Sequence, residues 1–349
     1  MSLICVGHAA LDRVFTVDAW PTGSAKIAAS RFEESGGGMA ANAAVAIARL
    51  GERVAFWGPT GADATADTIE AQLRAEHVDV AHLRRLPGVR SSSSAVLIDA
   101  HGERLVVGFR SEALQSSAHW LPLDEIAAAS AVLVDVRWPE GAAAALQAAR
   151  AHHVPAILDG EVAERTVLER LLALAEHVVF SERGLSVLGP DSEAGLTLAI
   201  ERGASVAAVT RGERGVEWIE KSAPRELHSC PAFSVRAVDT LAAGDVFHGA
   251  YAVAVSQQRS VEDAMRFASA AAAIKCTRPG GRAGAPALGR SKLSCNGPTD
   301  QTNAASACSE AAHNRSASRS SLASRDGRAS RQSTKYLPLT PETFSEVAR

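Results

Sequence analysis

The chain has 349 residues, enough for two domains or one large α/β domain, and its 46% hydrophobic content can fill a sizeable core. A formal net charge of −3 and scattered aromatics at 5% argue against a nucleic-acid partner, since neither a basic field nor a base-stacking platform is available. No apolar run is long enough to span a membrane, and Cys5, Cys230, Cys276, Cys295 and Cys308 form no C-x-x-C pair, so a reducing, cytoplasmic setting is expected.

The N-terminus lacks a basic start and a long apolar core, and residues 3–6 read as a first strand rather than a signal peptide. Further apolar runs predict strands at 54–57, 132–135, 156–159, 177–180 and 206–210. Ala- and Leu-rich stretches near 40–50, 64–76, 140–152, 164–176 and 192–202 predict the helices between them. This alternation predicts an α/β, doubly wound, mostly parallel sheet with ligands at the carboxyl ends of its strands. Segments 12–34 and 88–110 break the rhythm with β-like patterns and a turn at His101, Gly102 and Glu103; they predict a small β-sheet lid. The folded domain is expected to end near residue 290. Residues 291–349 are expected to form a disordered or atypical tail, because 291–333 is rich in Ser, Ala, Arg, Asn and Thr without apolar periodicity.

The strongest chemical signal is the stretch from Val238 to Ala250. Ala242, Ala243 and Gly244 are small and lead into an apolar helix. Such a turn brings backbone N–H groups close to an anion, and the helix N-terminus adds its dipole. Asp245 stands at that helix start, where the dipole is expected to keep it ionised and able to accept a proton. A cradle for γ-phosphate charge beside a base for a hydroxyl is what phosphoryl transfer needs. An ordinary N-cap aspartate is the plainer reading of the same residues.

The segment resembles the D-T-x-G-A-G-D signature of the PfkB/ribokinase carbohydrate kinases, with Ala242 where the first glycine is usual. The resemblance extends over residues 3–287 and implies a ribokinase-like fold, ATP and Mg²⁺ as cofactors, a small-molecule sugar as partner, and a homodimer formed through the lid. It implies that Asp245 is the catalytic base and that Ala242, Ala243 and Gly244 form the anion hole. The run Gly36 to Ala44 resembles the family's sugar-binding signature, which implies sugar contacts for Gly37, Gly38, Asn42 and the early Asp12. Thr210, Gly212 and Gly215, in a V-T-x-G-x-x-G stretch, and Gly280, in the loop 275–284, are implied on the nucleotide side. Arg278 and Arg282 of that loop either meet phosphates or are solvated. The family's N-x-x-E metal motif is replaced by Ser181 and Gly184, leaving Glu182 as the metal candidate.

Within the family, segments such as 135–138, 158–160 and 275–284 are most similar to the 6-deoxy-6-sulfofructose kinases. This likeness implies phosphorylation of a ketose C1 hydroxyl, with the distal sulfonate held by Lys26 and Arg137. A third anion contact falls at Gly108, and Arg110, two residues on, is its expected replacement. Fructose 6-phosphate, an uncharged sugar or a nucleoside are the alternative substrates, and a catalytically impaired sugar-binding regulator is the alternative of another class. A dinucleotide-binding dehydrogenase is disfavoured because no G-x-G-x-x-G follows the first strand.

Overall fold

Strand β1 (Ser2–Val6) turns Leu3 and Cys5 to one face and Ile4 and Val6 to the other, and all four are buried. A strand apolar on both faces belongs inside a sheet covered by helices on each side, and the computed structural model has that arrangement. It describes residues 2–20, 23–24, 26–115, 117–189 and 191–288; the expected tail lies outside these residues.

In chain order, β1 is followed by β2 (Ala10–Thr16), β3 (Arg31–Gly37), α1 (Met39–Arg49), β4 (Val54–Gly61), α2 (Ala64–Ala75), β5 (Leu83–Leu86), β6 (Ser92–Ile98) and β7 (Arg104–Phe109). Then come β8 (Ala129–Asp135), α3 (Pro139–Ala151), β9 (Ala156–Gly160), α4 (Arg165–Leu172), β10 (His177–Ser181), α5 (Glu182–Ser186), α6 (Ser192–Arg202) and β11 (Val206–Thr210). The described part ends with β12 (Val216–Glu220), β13 (Ala223–Cys230), α7 (Ala243–Ser256) and α8 (Val261–Cys276).

The main sheet has nine strands in the order β13-β12-β11-β10-β9-β8-β1-β4-β5, parallel from β5 through β11. Helices α1, α2, α7 and α8 pack with Leu3 and Cys5 on one face; α3, α4 and α6 pack with Ile4 and Val6 on the other. Because β1 leads outward to β4 while β8 leads the opposite way, the order reverses between β1 and β8. That reversal opens a crevice at their carboxyl ends.

Strands β3, β2, β6 and β7 form a separate four-stranded sheet, the expected lid. The turn between β6 and β7 is fixed by Asp99, whose carboxylate accepts the N–H groups of His101 and Glu103, with Gly102 at φ 81°. Two features were not legible in the sequence. Strand β5 is half arginine and carries no apolar run. The antiparallel β12 and β13 close the sheet edge, where β13 is largely exposed and carries Arg225 and Glu226, charges that discourage further edge pairing. Among the described residues no helix is long and apolar enough to cross a membrane.

Candidate active site

Asp135, at the carboxyl end of β8, organises the crevice. Its fully buried carboxylate accepts backbone N–H groups from His8 (2.8 Å), Ala40 (3.0 Å) and Arg137 (2.8 Å), joining the ends of β1 and β8 to the start of α1. Burial lowers the His8 imidazole to about 4, aided by Arg110 and Arg137 and opposed by Asp135; its Nε2 is buried without a partner.

Across the crevice, the loop 239–242 enters α7. Ala242 has φ 61° and ψ 15°, the left-handed conformation, so the methyl group sits where glycine would be unstrained. The N–H of Ala243 bonds the carbonyl of Thr240 at 3.2 Å, so it is not available in this arrangement for the expected anion hole. The N–H groups of Ala242, Gly244 and Asp245 have no acceptor among the described residues, as expected of a helix start. Free donors of this kind suit an anion.

The Asp245 carboxylate lies in the first turn of α7. Burial pushes it up to about 7, the neighbouring Asp159 adds to the rise, and a 2.6 Å hydrogen bond from Asn42 Nδ2 pulls it back together with His248. Desolvation works against the ionised form that a helix start favours, and the carboxyl is raised to about 7. Asp159 is itself raised well above the usual carboxylate range, first by burial and then by Asp135. A proton acceptor poised near neutral pH is well matched to taking a hydroxyl proton.

Each glycine of the run before α1 has a distinct reason to be there. A Cβ on Gly36 would overlap the Arg282 guanidinium, one on Gly37 the Asp12 carboxylate, and one on Gly38 the carbonyl of His8; Gly38 also has φ 91°. Asp12 accepts the Ser94 hydroxyl at 2.6 Å, and burial raises its carboxyl while Ser94 and Arg282 oppose the rise. Asn42, expected to bond the sugar, has both ends of its amide engaged: Oδ1 accepts Arg282 Nε (2.7 Å) while Nδ2 donates to Asp245. Arg282 is neither solvated nor at an open surface. It is 5% exposed, donates Nη2 to the Gly37 carbonyl (2.8 Å), and leaves Nη1 buried without a partner.

Arg137 stands half-buried at the mouth of the crevice. Glu140, three residues on, is held by both terminal nitrogens of Arg170 (2.6 and 3.0 Å). Arg110 comes in from the end of β7 and donates Nη1 to the Arg137 carbonyl at 3.0 Å. Partial desolvation and the adjacent Arg137 charge lower the Arg110 guanidinium below its ordinary value. Neither arginine has an ion-pair partner among the described residues. Lys26 is exposed between β2 and β3, without a hydrogen-bond or ion-pair partner among those residues. The structure thus brings Arg110 to Arg137 and gives Lys26 no contact with either.

On the expected nucleotide side, Thr210 ends β11 and its hydroxyl bonds the Phe180 carbonyl (3.3 Å). Gly212 and Gly215 have φ 55° and 91°, and a Cβ on Gly215 would overlap the Cys230 carbonyl. The Gly280 N–H is taken by Asp239 Oδ2 at 2.8 Å. Glu182, the metal candidate, forms an ion pair with Arg214 and lies 4.0 Å from Arg211. Ser181 caps α5 through a bond from the Gly184 N–H (3.0 Å), and a side chain at 184 would overlap the Gly160 carbonyl, so no glutamate fits there. No group of three or more His, Cys, Asp or Glu able to hold a metal occurs among the described residues.

Known proteins share this sequence pattern and fold. The pfkB family carbohydrate kinase profile matches residues 1–288. Ribokinase of Bacillus subtilis (strain 168) is 29% identical over 289 residues, covering 82% of this chain and 97% of the relative. A putative ribokinase from Agrobacterium tumefaciens superposes with a TM-score of 0.78 at 41% identity, covering 82% of this chain and 94% of that one. Ribokinase from Thermotoga maritima superposes with a TM-score of 0.72 at 25% identity, covering 82% and 96%.

Proposed function

We propose a substrate and a division of labour for this chain, which belongs to the pfkB family of carbohydrate kinases: it phosphorylates a ketose-like sugar carrying an anionic group far from the accepting hydroxyl. The reading closest to the sequence is 6-deoxy-6-sulfofructose, phosphorylated by ATP on its C1 hydroxyl. The observation that carries it is the Arg110 and Arg137 pair at the crevice mouth: Arg110 donates to the Arg137 carbonyl, neither forms a direct ion pair among the described residues, and their mutual repulsion is only partly offset by the nearby Asp135 carboxylate. Two like charges held together are costly until an anion joins them, and a planar fork fits a tetrahedral oxyanion. His8, with its unpartnered Nε2 beside them, adds a polar group that a sulfonate or hydroxyl can use.

In this reading Asp245 takes the proton of the acceptor hydroxyl. The free N–H groups of Ala242 and Gly244 face the charge that develops on the γ-phosphate. Asn42 is assigned to hold Asp245, and Asp12 with the glycine run to receive the sugar. The exposed Phe32, Leu105, Val107 and Phe109 on the lid sheet support a homodimer through that sheet, which sedimentation of the native chain and of Val107→Lys tests.

The deciding experiment is ADP release with Mg²⁺ and ATP across 6-deoxy-6-sulfofructose, fructose 6-phosphate, fructose and ribose. Preference for the sulfonate supports the proposal. Preference for ribose or fructose leaves a pfkB carbohydrate kinase and discards the anion pocket.

A further inference from the structure

Lys275 lies in the last turn of α8, where a lysine ordinarily reaches solvent. Here its side chain has no exposed surface at all. The ammonium donates to the Asp239 carbonyl at 2.8 Å and the Arg278 carbonyl at 3.4 Å, and lies 3.5 Å from Asp239 Oδ2. Three oxygens surround it, matching the three N–H donors of the charged form. Its stem runs past Gly284, where a Cβ would come within 3.1 Å of Lys275 Cε.

Asp239 is tied down from every side. Its carboxylate accepts the N–H of Leu241 (2.8 Å) and of Gly280 (2.8 Å), and pairs with Arg104 from lid strand β7. Arg104 also reaches the Thr240 hydroxyl at 3.4 Å. The N–H groups of Val238 and Asp239 both bond the Cys276 carbonyl, at 2.7 and 3.1 Å. The loop from 239 to the start of α7 therefore hangs from the end of α8 and from the lid, and Lys275 and Arg104 grip it on opposite flanks. Three residues after Asp239 stands Ala242, in its strained left-handed conformation. Arg104, on an edge strand, and Lys275, at the end of a helix, have no shared reason to converge on one carboxylate except to fix that loop.

We propose that Lys275 is a positioning residue for phosphoryl transfer: its buried ammonium acts as the internal counter-ion of the loop 239–244, and Arg104 couples lid position to the same loop. Removing the ammonium leaves the Asp239 and Arg278 carbonyls without this donor, and the loop relaxes away from the geometry its N–H groups need. Displacements of about 1 Å at a reacting centre can cost on the order of 10²-fold in rate. The proposal rests on the phosphoryl-transfer reading but not on the identity of the sugar.

The test uses Lys275→Met, which keeps the stem and loses the charge, Lys275→Ala, and Arg104→Gln. Each is assayed with whichever sugar the native chain turns over fastest or, if none is turned over, by its slow hydrolysis of ATP. Lys275→Met should lose about 10- to 100-fold in kcat while its KM for the sugar stays near the native value. Lys275→Ala should regain part of the loss in ammonium chloride but not in sodium chloride of equal ionic strength. A merely structural lysine would lower Tm without this split or rescue. Native kcat in Lys275→Met, or equal loss of kcat and sugar affinity with no ammonium rescue, overturns the proposal. Should both Lys275 variants fail to fold, Arg104→Gln decides: reduced kcat at unchanged KM supports the loop joint, and native kcat overturns it.

Discussion

The two small-residue turns of the crevice, Gly36–Gly38 before α1 and 242–244 before α7, look alike in sequence and differ in what a methyl group would meet. In the first, every glycine makes room for a named neighbour: Arg282, Asp12 or the backbone of His8. In the second, a Cβ on Gly244 would meet nothing within 4 Å, and Ala242 already carries a methyl, directed toward Gly281. Glycine in the first turn is a packing requirement. In the second it is a conformational preference, and breaking it at Ala242 costs about 1 kcal/mol without closing the space around the free N–H groups.

The largest effect expected from breaking the second turn is on its carboxylate. Asp245→Asn should lower kcat by about 10² to 10⁴-fold, read by steady-state ADP release. The native pH profile sharpens the same point. Because Asp245 is raised to about 7 and acts only when deprotonated, kcat/KM should fall as pH drops below that value. Stability follows the opposite sign. A folded-state value above the unfolded one means that the folded chain holds the proton more tightly, so stability declines as pH rises from the ordinary carboxylate range through about 7. Asp245→Asn should therefore gain Tm over the native chain at pH 8 and little at pH 5.

Next in size is the packing requirement itself. Gly36→Ala must displace the Arg282 guanidinium, and with it Asn42, which spans Arg282 and Asp245. Sugar KM and kcat should both deteriorate, by at least about 10-fold in kcat/KM for a lost charge-assisted hydrogen bond. The smallest effect is expected where the second turn is relaxed. Ala242→Gly should stabilise by up to about 1 kcal/mol, seen as a higher Tm, with kcat unchanged or modestly higher. A large loss of stability in Ala242→Gly would mean that the methyl packs usefully, and the contrast between the turns would fail.

The sheet was legible because its strands are buried on both faces and read as continuous apolar runs, as at 132–135 and 206–210. Asp245 and the glycine run were legible because their chemistry is concentrated in short motifs. Arg282 and Lys275 were not, since a loop arginine or a helix-end lysine is exposed by default. Their burial depends on partners 240 residues away, for the Arg282 to Asn42 bond, and 36 residues away, for Lys275 to Asp239. The near-neutral titration of Asp245 was hidden for the same reason: Asp159 approaches it through the fold, while the sequence around Asp245 advertises only a helix start.

The most direct test of the proposed anion recognition is the ratio of kcat/KM for 6-deoxy-6-sulfofructose to that for fructose, measured in the native chain and in Arg137→Gln. The native ratio should strongly favour the sulfonate, and Arg137→Gln should shrink it by about 10- to 100-fold, the worth of one charge-assisted contact, with fructose turnover little changed. An unchanged ratio, or equal losses on both sugars, would contradict the assignment of Arg110 and Arg137 to a substrate anion.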